Sequence, residues 1–334
     1  MNEPLMDALV IQESGKKGDW NTLVLDRVPR PSPKAGEVLV RVEACSVNRA
    51  DLLQRRGLYP APPGASSIMG LDFAGVVVEK AADVSGWNPG ARVFGIIAGG
   101  GYGRYATVAA DHLVAIPENL DFVAAAAAAE VFFTAFFNLF MEAQTKAGET
   151  LLVHGGGSGV GTAAIQLARA HGVTAIVTAS SPEKIERCLD LGATFGINYK
   201  TEDFAARVLE FTGGLGVDVI LDWIGASYLS KHIEILRPKG RLVIIGLMGG
   251  NKGEIALAPL LTKRLHLIGS VLRSQSHEEK AALTRAFTER VRPLLESGKV
   301  RPILDRVFPV QAVEDAHQVM KENRHFGKIV LTWE

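Results

Sequence analysis

Apolar residues in the first third of the chain fall in short, β-branched runs at 38–44, 75–79, 92–97 and 105–109, separated by Pro29, Pro31, Pro33, Gly70, Pro89, Gly90 and glycines 99–101. Runs of this length between turn residues predict strands and a β-rich region. From Leu151 the rhythm changes. Strand-like segments at 151–154, 174–178, 195–198, 219–222, 241–245 and 266–270 alternate with helical stretches, which predicts an α/β fold with a doubly wound parallel sheet. A helix is expected over 277–297. Residues 303–308 and 328–332 then return to strands around a helix at 313–322. We read these terminal strands as rejoining the first region, which makes the parallel-sheet domain an insert. The most membrane-like stretch, 122–140, is rich in alanine and interrupted by Glu130, Thr134 and Asn138. It reads as a buried helix of a soluble protein, or as two with a break near Glu130.

A length of 334 residues suggests roughly two domains. Lys plus Arg and Asp plus Glu both number 36, so the formal net charge is zero and no broad basic surface serves nucleic acid or anionic lipid. The basic residues between Arg285 and Arg301 alternate with Glu289 and Glu296, the pattern of a solvated helix face. Cys45 and Cys188 are too few for a disulfide framework. The first ten residues lack a basic region followed by a long apolar one, so a cytoplasmic location is expected.

The candidate chemistry begins where the first parallel strand ends. Residues 151–161 read Leu-Leu-Val-His-Gly-Gly-Gly-Ser-Gly-Val-Gly, a strand running into a glycine turn, with a helix from Thr162. Such a turn lets backbone approach a dinucleotide pyrophosphate, and the helix offers unpaired N–H groups. Gly156, Ser158, Gly159 and Val160 are therefore cofactor-binding candidates. Ser158 stands where the strict pattern has its middle glycine, narrowing the approach but adding a hydroxyl that can donate to phosphate. Cofactor choice is read at the end of the second strand, where an acid would bond the ribose hydroxyls of NAD. Here Thr178-Ala179-Ser180-Ser181 ends the strand and Lys184 follows. Ser180 and Lys184 suit a 2′-phosphate, so NADPH is the expected cofactor, and a helix cap at Ser180 or Ser181 is compatible with that role.

Several separate motifs, in order, resemble the zinc-independent quinone oxidoreductases of the medium-chain dehydrogenase/reductase superfamily, close to the p53-inducible quinone reductase-like branch. They are Asn48-Arg49-Ala50-Asp51-Leu52-Leu53-Gln54-Arg55, residues 57–65, Gly70-Leu71-Asp72, residues 158–166, Gly246-Leu247-Met248-Gly249-Gly250, Leu272-Arg273-Ser274 and Gly327-Lys328-Ile329-Val330. The resemblance implies a GroES-like catalytic domain, 1–130 and 276–334, around a Rossmann NADPH-binding domain, 131–275. It further implies that Tyr199 lies at the adenosine end, and that Gly225, Gly246, Leu247, Met248, Leu272, Arg273 and Ser274 approach the nicotinamide half. Asn48, Thr134 and Lys328 would contact the nicotinamide portion or its phosphates. A homodimer is implied, formed by pairing sheet edges near 265–271.

No metal is expected. Zinc-dependent relatives have Cys where Asn48 stands and a His-Glu pair where Leu71-Asp72 stands; Leu71 cannot ligate, and an amide replaces thiolate poorly. Cys45 lies three positions too early and reads as core filler. His112 and His154, on strand-like segments, read as packing or hydrogen-bonding residues. Without a Lewis acid the substrate should already be electrophilic, which favours quinones and reactive enones reduced by direct hydride transfer. Tyr59, in the Gly57-Leu58-Tyr59-Pro60 turn, is the candidate proton donor, with the Asn48 amide beside it, or else an aromatic lid. Two rival readings stand beside this one: an enoyl-thioester or 2-alkenal reductase, and an NADPH-binding sensor or interaction protein with little turnover.

Overall fold

An antiparallel ribbon of β1 (Leu5–Gln12) and β2 (Thr22–Pro29) opens the chain, with Leu9 opposite Leu25; the pattern of apolar runs does not predict it. β3 (Glu37–Val47) follows, then α1 (Arg49–Gln54), β4 (Asp72–Lys80), β5 (Arg92–Ile96), β6 (Tyr105–Ala109) and β7 (Val114–Ala115). β3 and β4 extend beyond the predicted runs by a few residues, β5 stops one residue short and β6 matches; together they place Val38, Val40, Val42, Phe73, Val77 and Val93 in one core at 0% exposure. Each such side chain contributes about 1.5–3 kcal/mol through burial.

α2 (Phe122–Phe136) runs without a break past Glu130 and passes directly into a π-helical turn, Phe137–Glu142. The stretch Phe122–Glu142 is long and apolar enough to cross a membrane, yet 78% of its most apolar window is buried inside the protein. Alanines 125–129 are all at 0% exposure, the mark of a core helix whose small side chains admit close neighbours.

Strands and helices then alternate: β8 (Thr150–Val153), α3 (Gly159–Ala170), β9 (Thr174–Ala179), α4 (Pro182–Leu191), β10 (Phe195–Asn198), α5 (Phe204–Phe211), β11 (Val217–Asp222), α6 (Leu229–Ile235), β12 (Leu236–Ile244), α7 (Leu257–Thr262) and β13 (His266–Gly269). They form a parallel sheet in the order β10-β9-β8-β11-β12-β13, the doubly wound Rossmann arrangement. Leu152, Ile176, Ile220 and Leu242 form its central row, covered by Val208 of α5 and Ile235 of α6.

The helix expected over 277–297 is two helices, α8 (His277–Arg290) and α9 (Arg292–Glu296). Pro293 lacks the N–H that a continuous helix would use there. β14 (Leu304–Pro309), α10 (Val313–Lys321) and β15 (Lys328–Thr332) complete the chain. β15 pairs with β3, Ile329 opposite Val47, so the terminal strands do join the first sheet, in the order β14-β15-β3-β4-β5-β7 with β6 also on β3.

The computed structural model describes residues 4–12 and 15–333. Two compact units emerge: Met1–Phe133 with Arg273–Gly298 and Pro302–Glu334, and Thr134–Leu272 with Lys299–Arg301. They are called the mixed-sheet unit and the parallel-sheet unit below.

Candidate functional site

In the parallel-sheet unit, the loops after β8, β9, β10, β11 and β12 leave from one edge, and the strand order reverses between β8 and β11. Open α/β sheets bind ligands at such a switch point. The loop after β8 is the glycine turn. Gly155 has φ +57°, and a Cβ on Gly161 would stand 2.6 and 2.7 Å from the carbonyl oxygens of Gly155 and Gly156, so the turn closes only on hydrogen at that position. Ser158 is the N-cap of α3, its Oγ accepting the N–H of Gly161 at 3.0 Å. Its hydroxyl proton stays available to a phosphate. The N–H groups of Gly159 and Val160, in the first turn of α3, have no intrahelical acceptor.

At the end of β9 the helix cap falls on Ser181, whose Oγ accepts from the N–H of Lys184 at 3.3 Å, and not on Ser180. Tyr199, 42% exposed, is held beside this corner by its N–H to the carbonyl of Ala179 at 3.2 Å. After β11, Asp222 accepts the N–H of Ile224 at 2.8 Å and of Gly225 at 2.9 Å, shaping a tight turn. Met248 and Gly249 donate backward to the carbonyls of Trp223 and Ile224, zipping the Gly246-Leu247-Met248 loop to that turn. Leu247 and Met248 are each 55% exposed. Thr134 accepts at its carbonyl from Asn138 Nδ2 at 2.8 Å, and Leu272 is half-buried.

In the mixed-sheet unit a second cluster surrounds Asn48. Its Nδ2 donates to Asp72 Oδ2 at 2.7 Å and more weakly to the Ser46 carbonyl at 3.3 Å, while its Oδ1 accepts from Lys328 Nζ at 2.6 Å. Lys328, 3% exposed, also donates to the Val47 carbonyl at 2.9 Å. Asp72 further accepts from the backbone N–H and the hydroxyl of Ser46. Burial pushes the Asp72 carboxyl up while the Lys328 ammonium pulls it down. The Asn48 amide, expected as a free donor beside Tyr59, is thus committed within the unit; its link outward is through Lys328, which keeps a third ammonium proton.

Tyr59 is held by Arg273, whose guanidinium lies 5.0 Å from the ring centroid and donates to the Tyr59 carbonyl at 3.2 Å, the Ala98 carbonyl at 2.8 Å and Gln54 Oε1 at 2.8 Å. Arg273, expected at the cofactor, anchors the turn carrying Tyr59. Burial raises the Tyr59 phenol above its ordinary value, which keeps its proton on oxygen at neutral pH. Ser274 is exposed.

A fully buried chain that motif reading does not find begins at Asp51. Asp51 Oδ2 accepts the Asn48 N–H at 2.8 Å and the Tyr102 hydroxyl at 3.2 Å. Tyr102 in turn lies 2.9 Å from His317 Nε2, and Arg55 Nη1 lies 3.2 Å from His317 Nδ1. Arginine can only donate, so His317 is bare at Nδ1 and carries its proton on Nε2. Burial and the Arg55 charge push His317 down to about 3, which fits that neutral form. Asp51, with Oδ1 unpartnered, is pushed up to about 7, chiefly by burial. The sequence carried one signal of this: Asn48-x-x-Asp51 has the spacing of a capping box.

Family models match both parts of the chain: "Alcohol dehydrogenase GroES-like domain" over residues 34–118 and "Zinc-binding dehydrogenase" over 159–289. The quinone oxidoreductase of Sus scrofa is 34% identical over 305 residues, 90% of each chain. The chain belongs to the quinone oxidoreductase family of the medium-chain dehydrogenases/reductases. Among solved structures, the Pseudomonas syringae pv. Tomato DC3000 quinone oxidoreductase superposes with a TM-score of 0.84 at 30% identity, covering 97% of this chain and 99% of that one. CurF ER cyclopropanase of the curacin A biosynthetic pathway gives 0.85 at 29% identity, covering 99% and 100%. Membership in this family implies a nicotinamide dinucleotide and a small-molecule substrate. The parallel-sheet unit fits the dinucleotide on its own geometry: side chains are excluded from the turn at Gly161, and uncommitted N–H groups start α3.

Proposed function

We propose that the chain is an NADPH-dependent, zinc-independent quinone reductase, acting on quinones or reactive enones by direct hydride transfer. NADPH supplies the hydride when bound. Ser180 and Lys184 hold its 2′-phosphate at a strand end without a carboxylate, Tyr199 covers the adenosine end, and the cap of α3 receives the pyrophosphate. The single observation that carries the substrate reading is the donor set around Asn48. An amide locked between Lys328 and Asp72 occupies the place of a metal ligand, and Leu71 is apolar. Burial pushes the Cys45 thiol well up, away from the thiolate that zinc requires.

Among the described residues the clusters of three His and Asp side chains with their polar atoms close together are Asp111-His112-His277 and His154-Asp222-His232, and neither includes Asn48 or Asp72. Substrate activation therefore falls to hydrogen-bond donors: the Tyr59 hydroxyl, kept protonated, and the remaining ammonium proton of Lys328. The free, buried Cys45 and Cys188 suit a reducing cytoplasm.

NADPH oxidation is expected with a small ortho- or para-quinone, undiminished by chelators and slower with NADH. No turnover across a quinone panel would overturn the substrate assignment. Turnover of a 2-enoyl thioester instead would select the enoyl reductase reading, which the likeness to CurF ER cyclopropanase supports.

We also propose a homodimer joined along the outer edge of β13. That strand ends the sheet order, and Leu267, Leu257 and Leu261 near it are 38–78% exposed. Unpaired apolar edges of this kind invite strand pairing. Light scattering is expected to give twice the chain mass; a monomer across the micromolar range contradicts the dimer.

A further inference from the structure

Beneath the glycine turn lie His154, Asp222 and His232, all at 0% exposure. His154 follows β8, Asp222 ends β11, and His232 belongs to α6. His154 Nδ1 is 3.1 Å from Thr178 Oγ1, the atom that also accepts the N–H of Gly155 at 3.1 Å. On its other side His154 Nε2 is 2.8 Å from His232 Nε2. His232 Nδ1 has no hydrogen-bond partner and lies 4.0 Å from Asp222 Oδ2. Asp222 Oδ2 accepts the N–H of Gly225. The chain of contacts thus starts at one switch-point loop and ends at the other.

Its chemistry is fixed by elementary constraints. Two ligands of one tetrahedral zinc would stand about 3.3 Å apart, so nitrogens at 2.8 Å share a proton rather than a metal. The aromatic rings of Phe204 and Tyr228 enclose the pair, and burial pushes His154 well down and His232 down to about 3. Both rings are neutral, so one donates from Nε2 and the other accepts there and carries Nδ1–H. Asp222 decides which. Its carboxylate attracts an N–H and repels a lone pair at His232 Nδ1. His232 therefore carries Nδ1–H and accepts at Nε2, and His154 donates from Nε2. The bare Nδ1 of His154 accepts the Thr178 hydroxyl proton, whose oxygen takes the Gly155 N–H. Only the reverse direction would aim a lone pair at the carboxylate.

We propose that His154, His232 and Asp222 are positioning residues for the dinucleotide: a one-directional hydrogen-bond chain runs from Thr178 through His154 to His232, whose Nδ1–H faces Asp222 across 4.0 Å, and the set holds the Gly155 and Gly225 turns in register for the cofactor. This rests on the cofactor reading above. The chain can be cut at two distant points: Thr178→Val removes the hydroxyl at equal volume, and His232→Gln keeps an acceptor near Nε2 but loses the group facing Asp222.

NADPH affinity is read by fluorescence, for which Trp223 is placed as a reporter: its ring would lie 3.0 Å from a Cβ on Gly155. Each single variant is expected to lose about tenfold in affinity, or about 1.4 kcal/mol. The double variant loses no more than the worse single, because the chain is already broken. KM for NADPH rises while kcat at saturation stays within about twofold. In the wild type, 15N spectra of labelled histidine at pH 7 show His154 with its proton on Nε2 and His232 on Nδ1. Unchanged affinities, additive losses, an imidazolium at either position or the reversed tautomers overturn the assignment while leaving the cofactor reading intact. A wild-type chain that binds neither NADPH nor NADH overturns the cofactor reading and this assignment with it.

Discussion

Gly161→Ala is expected to reduce NADPH affinity by about tenfold to a hundredfold, the scale of one lost hydrogen bond to a charged phosphate, about 1.5–3 kcal/mol. The added methyl would stand 2.6 and 2.7 Å from two backbone carbonyl oxygens, of Gly155 and Gly156, and 2.8 Å from the Gly156 carbonyl carbon. No flexible side chain is available to yield, so the turn or the start of α3 must move. Both routes disturb the N–H of Gly161, which now ends on Ser158 Oγ, and with it the cap that leaves the first N–H groups of α3 facing outward. Overpacking of this kind also costs about 1–3 kcal/mol of stability. Calorimetric titration with NADPH checks the first effect and urea unfolding the second; wild-type affinity in the variant would refute the proposed role of the turn.

Asp51→Asn is expected to stabilise the protein increasingly as pH rises. Asp51 is pushed up to about 7 in the folded chain, against about 3.9 for an unperturbed aspartate. Below about pH 4 both states hold its proton. Between about pH 4 and 7 the folded chain keeps a proton that the unfolded chain has lost, so Asp51's contribution is eroded as pH rises and is gone above about 7. Asparagine has no such titration. The stability difference between variant and wild type should therefore shift in favour of asparagine by about 3 kcal/mol between pH 4.5 and 8. His154, His232 and His317, all pushed down, act in the opposite sense. Their contribution is present above about 6.5 and lost as pH falls, but it is common to both proteins and cancels in the difference. Urea midpoints at the two pH values give the shift; parallel pH profiles would show that Asp51 ionises normally.

What could be read in the chain beforehand was whatever is local. The glycine turn, the Ser180 corner and the six parallel strands depend on neighbours in sequence, and each left a recognisable pattern. The β1–β2 ribbon left less, because its second strand is mostly half-buried or exposed and has no steady alternation. The π-helical turn at Phe137–Glu142 and the division of the last long helix arise from backbone adjustments that periodicity averages away.

The environment of Asn48 was hidden for another reason. Its partners Asp72 and Lys328 lie 24 and 280 positions away, so motif reading named the residues without showing that they neutralise one another. His154, read as a packing or hydrogen-bonding histidine, is the latter, but its partner His232, 78 positions on, has no sequence signal of its own.

The pairing of β15 with β3 also has a consequence for biosynthesis. The mixed-sheet unit needs residues from both ends of the chain, whereas Thr134–Leu272, the bulk of the parallel-sheet unit, emerges from the ribosome as one uninterrupted stretch. Domains generally fold as units during synthesis, and pairings of such long sequence separation are slow to form. The parallel-sheet unit can therefore take shape on the ribosome. Ala44–Val47, the part of β3 that β15 covers, waits with an open strand edge until Lys328–Thr332 has been translated, and a nascent chain stalled before Lys328 would expose that edge to whatever strand or chaperone is nearby.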